Sequence, residues 1–233
     1  MKNKASKNTK TITLSIDGKI IETQKGKNLV AVIKQAGLSI PTLCYSNDQP
    51  CLGTCRVCTA EVNHRKMAVC TLVAEQDMII TIDNKELNDI RQALVELLFV
   101  EGNHYCPACE KSGDCQLQGL GYKMGMRVSR FPYRFTPYTL DFRGKWLVLE
   151  HNRCIHCKRC TNLFRDDLNH RVFAFEGKGD KTMVKMDLQR EKYLSKEKAR
   201  QAADLCPTGA ILFKEQGFNC PIGQRKFDKQ QKS

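Results

Sequence analysis

Long apolar stretches are missing from this sequence. Runs such as Leu97–Val100 stop after a few residues, whereas a membrane-spanning helix needs about 20 apolar residues in succession. No membrane span is therefore expected. The opening MKNKASKNTKT is basic but passes into alternating apolar and polar residues instead of a continuous apolar segment. It does not read as a secretory signal, and the chain is expected in the cytoplasm. There is no G-x-G-x-x-G turn and no P-loop GK[ST], the two commonest phosphate cradles. The stretch EGKGDKT around Gly177 and Gly179 reads only as a basic loop. Long internal repeats are absent as well.

Cysteine, by contrast, is abundant: 13 in 233 residues. In a secreted chain that number would suggest disulfides. Without a signal it points to metal ligands, and an odd total cannot close into pairs. The cysteines fall in three groups, 44–70, 106–115 and 154–206, with Cys220 near the end.

A basic tail (1–10) precedes a first unit (11–84). TITLSI alternates with Ile12, Leu14 and Ile16 on one face, Asp17-Gly18 is a hairpin signal, and KIIET returns as a second strand. Asn28 caps a helix carrying Leu29, Val32, Ile33 and Ala36 on one face, and Gly37 ends it. RVCTAEV and MIITI are two further strand candidates. Strand, strand, helix, loop, strand, strand is the β-grasp order. A second unit (85–129) opens with an amphipathic helix through Ile90, Leu94, Leu97 and Leu98, followed by a weaker helical stretch from Asp114 to Met124. In the third unit (130–215), RFPYRFTPY reads as a surface linker and WLVLE as a strand. A β segment at Met183–Met186 and a helix from Ser195 to Leu205 follow. A polar tail (216–233) closes the chain.

The first constellation is Cys44, Cys55, Cys58 and Cys70, spaced C-x10-C-x2-C-x11-C. Four thiolates suit a [2Fe–2S] cluster or zinc. The single C-x2-C favours the cluster, since zinc ribbons usually bring two such pairs. Gly53 would let backbone N–H groups approach the inorganic sulfides. Cys51 is a rival ligand, because C51-x3-C55-x2-C58 falls one residue short of the plant-type C-x4-C-x2-C. It reads as a bystander, since Cys44 would otherwise be idle.

The last constellation, Cys154-x2-Cys157-x2-Cys160 with Cys206-Pro207, is a bacterial ferredoxin run. In the two-cluster form a fourth cysteine of the run serves the other cube. Here that position is Phe164, and the ligand positions 196, 199 and 202 hold Lys196, Ala199 and Ala202. One [4Fe–4S] site is kept and the other is erased, with Phe164 and Ala202 expected to fill its space.

Between these two lies Cys106-x2-Cys109-x5-Cys115, one ligand short of four. His104 is the candidate fourth ligand of a second [4Fe–4S] site. A neutral imidazole in place of a thiolate removes a negative charge and raises the potential, as in Rieske centres. His64, His151, His156 and His170 read as ordinary structural histidines, and Cys220 has no assigned role. The expected fold is thus α+β: a [2Fe–2S] ferredoxin-like β-grasp, a small helical domain for a cluster held by one histidine and three cysteines, and a degenerate ferredoxin-like domain that retains one [4Fe–4S].

The formal charge of +13 invites a nucleic-acid reading, but it counts every thiol as neutral. With eleven thiolates on one [2Fe–2S]²⁺ and two [4Fe–4S]²⁺ cores, the sites carry −2, −1 and −2, which lowers +13 to +8. No nucleic-acid partner is expected, while a basic surface for acidic partner subunits is compatible with that balance.

The ordered motifs IPTLCY…GTCRVCTAEV, CPACEKSGDCQLQ and RCIHCKRC…CPTGAI cover residues 10–215. Together they resemble the iron–sulfur electron-input module of three groups: the large iron–sulfur subunit of respiratory complex I, the N-terminal part of [FeFe]-hydrogenases, and the diaphorase small subunit of NAD-reducing [NiFe]-hydrogenases. The last is most similar, because the chain ends about 27 residues after Cys206, without the large domains of the others. The resemblance implies one [2Fe–2S] and two [4Fe–4S] clusters on the residues named above. It also implies an FMN/NAD(H)-binding flavoprotein partner and a [NiFe]-hydrogenase small and large subunit pair. The implied role is that of an electron-transfer subunit in H2 + NAD+ ⇌ NADH + H+, with no substrate-converting site of its own. The alternatives are the same role in another NAD-linked complex (formate dehydrogenase, complex I-like or bifurcating hydrogenase) and, more distantly, a non-redox zinc protein. One departure stands out: the resembled pattern is H-x3-C, whereas position 102 is Gly102 and His104 gives H-x-C.

Overall fold

The computed structural model describes residues 10–46, 51–135, 137–218 and 224–225; Cys220 and most of both tails lie outside them. Strands β1 (Thr11–Ile16) and β2 (Lys19–Gln24) form a hairpin over Asp17-Gly18, where both residues have positive φ (47° and 78°). The alternation of β1 buries Ile12, Leu14 and Ile16 against α1 (Leu29–Gln35). Asn28 caps α1 by accepting the Val30 N–H, and Gly37 (φ 74°) lets the chain leave it.

Strands β3 (Thr59–Val62), β4 (Arg65–Ala68) and β5 (Ile79–Thr81) complete a five-stranded sheet of order β2-β1-β5-β3-β4, in which β1 and β5 run parallel. This is the β-grasp arrangement. Two details differ from the sequence expectation. Arg56, Val57 and Cys58 belong to a loop and not to the strand, because this backbone turns sharply around the cysteines (Arg56 φ 58°). Strand β4 was not foreseen: its hairpin turn is Asn63-His64, both at positive φ, without the glycine that usually marks such a turn.

Helix α2 (Lys85–Val100) follows, capped by Asn84. Its buried stripe is Leu87, Arg91, Val95 and Phe99, while Leu97 is 37% exposed. Of the expected pattern, Leu94 and Leu98 pack against the core while Leu97 faces out. Two charged residues hold that face: buried Arg91 donates twice to the Thr59 carbonyl, and buried Glu96 accepts from Arg130. Helix α3 (Gln116–Lys123) packs on α2, with Gly121 leaving room for the Phe99 ring.

Strand β6 (Leu140–Asp141) pairs with β7 (Leu147–Glu150), and the short helix α4 (Arg159–Leu163) comes next. Strands β8 (Phe173–Glu176) and β9 (Met183–Met186) pair with each other. Helices α5 (Leu188–Lys192) and α6 (Lys196–Leu205) lead to β10 (Ile211–Phe213), which pairs with β7. A second core gathers Leu147, Leu149, Phe164, Phe173, Val184, Ala199, Ala202 and Ile211. Phe164 stands edge-on to Phe173, and Ala199 and Ala202 are fully buried. Apolar side chains therefore fill three of the four positions where a second cube's ligands would stand, while Lys196 pairs with Glu215 at the surface. Glu191, also fully buried, fixes the entry to β7 by accepting the backbone N–H groups of Lys145, Trp146 and Leu147.

Candidate iron–sulfur centres

In the first unit five thiols meet, not four. Cys44 follows α1, Cys51, Cys55 and Cys58 lie in the loop before β3, and Cys70 sits in a 3-10 turn after β4. Cys55 Sγ lies 3.3 Å from Cys44 Sγ, and Cys58 hydrogen-bonds Cys70. Cys70 interacts with Cys44 as well as with Cys58, so the four expected ligands form one connected cluster. Cys51 joins it, 3.6 Å from Cys44 and 3.3 Å from Cys70, and is more exposed than the other four. The Cys44 thiol is driven down by hydrogen bonds from Cys51, Cys55 and Cys70. The same contacts drive Cys55 and Cys70 up. The backbone at Gly53 and Val57 opposes the upward push on the Cys51 and Cys55 thiols. Gly53 itself has positive φ (64°), and a Cβ on it would lie 2.7 Å from the Thr71 methyl group. A compact nest of thiols with N–H donors fits an anionic [2Fe–2S] group.

Cys106 opens a 3-10 turn, Cys109 follows that turn, and Cys115 caps α3 by accepting the Gln118 N–H on its sulfur. Burial pushes all three thiols up, Cys115 to about 12. His104 is the distinctive residue. Its ring stands edge-on to Phe99, and its Nε2 is buried with no hydrogen-bond partner among the described residues. Burial, reinforced by the Arg153 charge, pushes its pKa down to about 4, while the Leu98 backbone hydrogen-bonds the ring. A neutral imidazole held by backbone on one nitrogen and open at the other is the state in which histidine binds metal. The missing H-x3-C histidine also has a steric account. A Cβ on Gly102 would lie 2.3 Å from the Asn152 carbonyl and 2.8 Å from His104 Nε2, so the ring of His104 occupies that space. The three cysteines lie on successive turns of one segment, and His104, two residues before Cys106, is chemically suited to join them through its unpartnered Nε2.

Cys154, Cys157, Cys160 and Cys206 line one cavity together with Ile155, Val184, Ala210 and Ile211. Burial pushes Cys154 up to about 12, and Cys157 and Cys160 also upward. Four thiols around one largely apolar space, with Lys158 and Arg159 at its wall, fit a [4Fe–4S] group. The other histidines have local partners. Both His151 nitrogens lie within hydrogen-bond distance of carbonyls, those of Thr139 and Val184, while His156 stands edge-on to Phe175 and His170 pairs with Asp166. His64 sits in the β3–β4 turn beside Glu61.

The sites adjoin in an order the chain does not follow. Cys44 and Cys51 line a narrow crevice with Cys157, Lys158 and Arg159, and Arg159 Nη2 donates to the Tyr45 carbonyl at 2.9 Å. On the other side, Gly209 is so close to Cys109 that an added Cβ would stand 2.7 Å from its sulfur. The Gln116 N–H donates to the Pro207 carbonyl, and Arg153 pairs with Glu110 at 2.9 Å. The segments that carry the last cysteine set therefore touch those of both others. Neither contact had a sequence signal, since both join residues far apart in the chain.

Comparison with known proteins agrees with this geometry. Residues 9–85 match the 2Fe-2S iron-sulfur cluster binding domain, residues 91–130 the NADH-ubiquinone oxidoreductase-G iron-sulfur binding region, and residues 144–212 the ferredoxin-like domain of NADH-quinone oxidoreductase subunit 3. The chain is 44% identical to the NAD-reducing hydrogenase HoxS subunit gamma of Cupriavidus necator, covering 94% of each protein. It is 26% identical to the mitochondrial NADH-ubiquinone oxidoreductase 78 kDa subunit of Candida albicans over 92% of this chain, but spans only 30% of that subunit. A chain in the crystal structure of an NAD+-reducing [NiFe]-hydrogenase in the H2-reduced state superposes with a TM-score of 0.84 at 35% identity, covering 93% of each. Among the described residues no helix is long and apolar enough to cross a membrane. On this identity and coverage, the chain belongs to the family of γ subunits of NAD-reducing hydrogenases.

Proposed function

We propose that this chain is the electron-relay subunit of an NAD-reducing [NiFe]-hydrogenase, linking an FMN/NAD(H)-binding flavoprotein subunit to the hydrogenase small and large subunits. The ligand sets are Cys44, Cys55, Cys58 and Cys70 for one [2Fe–2S] cluster, His104, Cys106, Cys109 and Cys115 for one [4Fe–4S] cluster, and Cys154, Cys157, Cys160 and Cys206 for the other. When bound, the clusters accept and release single electrons. The chain's own residues hold the ligand sets close together, exclude water and set the local charge, and they convert no substrate. The domains follow the sites: 11–84, 85–129 and 130–215.

The observation that carries this reading is the contact of the segments carrying the last cysteine set with those of both others. It supports a line running from the [2Fe–2S] site through the Cys154 site to the His104 site, with the [2Fe–2S] site on the main path. A store of charge set to one side would not need this packing on the central site.

The test is a deletion of this chain in cells that carry the whole assembly. H2-dependent NAD+ reduction should disappear, while H2-dependent reduction of an artificial dye by the hydrogenase pair persists. Affinity capture of the tagged chain should recover the flavoprotein and the hydrogenase pair. Capture of a molybdenum enzyme instead would replace this assignment with another NAD-linked complex.

A further inference from the structure

Arg159 stands where two of the candidate centres meet. It follows Cys157 by two residues and precedes Cys160, so its backbone belongs to the Cys154 site. Its side chain crosses to the first unit, where Nη2 donates to the carbonyl of Tyr45, the residue after Cys44, at 2.9 Å. Among the described residues only Cys157, Lys158 and Arg159 line both the crevice at Cys44 and Cys51 and the cavity shared by Cys154, Cys157, Cys160 and Cys206. The Nε–H of Arg159 is buried and has no partner among the described residues. A buried donor without an acceptor is costly, by about 1–3 kcal/mol, and sulfur of an anionic cluster is an acceptor that would satisfy it.

We propose that Arg159 is a shared potential-setting residue, one guanidinium that stabilises the reduced forms of both the [2Fe–2S] site and the adjacent [4Fe–4S] site. The inference rests on the proposed cluster assignment and adds a residue to it. Each reduction adds one electron and one negative charge to a site. A fixed cation beside both makes each addition more favourable, and the effect is strong because the group is partly desolvated. Arginine suits this position better than lysine. Its charge is permanent, and its planar fork donates to Tyr45 with one nitrogen while another stays free.

The experiment is an EPR-monitored dithionite titration of the purified complex carrying wild type, Arg159→Met, Arg159→Gln or Arg159→Lys, with iron and acid-labile sulfide assayed on each sample. In both neutral variants the reduction equilibrium of the two neighbouring clusters should fall about tenfold or more, a tenfold change being 59 mV for one electron. The lysine variant should lie between these and wild type, and the cluster at His104 should keep its potential. Should Arg159→Met fail to assemble, Arg159→Gln, which keeps a polar donor on this side chain without the charge, carries the test. Unchanged potentials in a fully loaded neutral variant, or a shift at one site alone, would overturn the shared role. Absence of sulfide from the wild type would instead remove the cluster assignment, so the two failures are distinguishable.

Discussion

Replacing His104 offers the sharpest test of its assignment as a cluster ligand beside three cysteines. Its Nε2 is buried and unpartnered among the described residues, and burial holds the ring neutral. In His104→Cys a neutral ligand becomes a thiolate, which adds one negative charge at bonding distance. Two unit charges 4 Å apart interact by about 4 kcal/mol at an effective dielectric of about 20. With 59 mV per tenfold change for one electron, that corresponds to roughly 170 mV. Exchanging two thiolates for imidazoles raises Rieske potentials by several hundred millivolts, so a single exchange in reverse should lower this midpoint on the order of 100–200 mV. His104→Ala should leave three thiolates and either a three-iron signal or loss of that cluster. EPR-monitored redox titration of each variant in the complex reads both results. A His104→Cys midpoint within a few tens of millivolts of wild type, together with an unaltered His104→Ala spectrum, would refute the ligand assignment.

Three further outcomes follow from local geometry. In Gly209→Ala the new Cβ would meet Cys109 Sγ at 2.7 Å, against ordinary contacts near 3.5–4.0 Å. Overpacking of that size costs about 1–3 kcal/mol, so the denaturation midpoint and the magnetic coupling between the two [4Fe–4S] signals should both fall. A wild-type spectrum and midpoint would count against close packing of the two sites. Glu191→Gln weakens acceptance from three backbone N–H groups at 2.6–2.9 Å. It should cost about 1–3 kcal/mol in a denaturant titration, and no loss would mean the buried carboxylate is dispensable. The side-chain hydrogen bond from Arg143 pushes the Asp141 pKa down to about 2, below its ordinary 3.8. Its stabilising contribution is therefore present above about pH 3.8 and lost as the pH falls through 2. Asp141→Asn should unfold faster than wild type at pH 5, as read by stopped-flow absorbance, and equal rates there would mean that the pair contributes nothing.

The proposed ligand sets rest on the short, rigid spacings of cluster-binding cysteines, which survive in one dimension. The same holds for β1, β2 and α1, where alternation, an Asp-Gly turn and an Asn cap agree with the packing. Helix α2 was legible as a helix and, through Leu94 and Leu98, in part of its packed face. There Arg91 and Glu96 are buried through hydrogen bonds to distant residues while Leu97 faces out. Strand β4 escaped because Asn63-His64 makes its turn without glycine. Cys51 shows the remaining limit. Its spacing set it aside, yet it folds to within 3.3 Å of Cys70, since the loop carrying it returns on the site. The proposed order of the three centres was beyond sequence reasoning, because it depends on contacts such as Arg159 to Tyr45, 114 residues apart.

That one chain holds three centres in contact is tested most directly by iron and acid-labile sulfide analysis of the anaerobically purified protein, paired with EPR during stepwise reduction. About ten irons and about ten sulfides per chain are expected, with one [2Fe–2S] and two [4Fe–4S] signals. Zinc without sulfide, or iron for fewer than three centres in a fully loaded preparation, would contradict the three-centre relay.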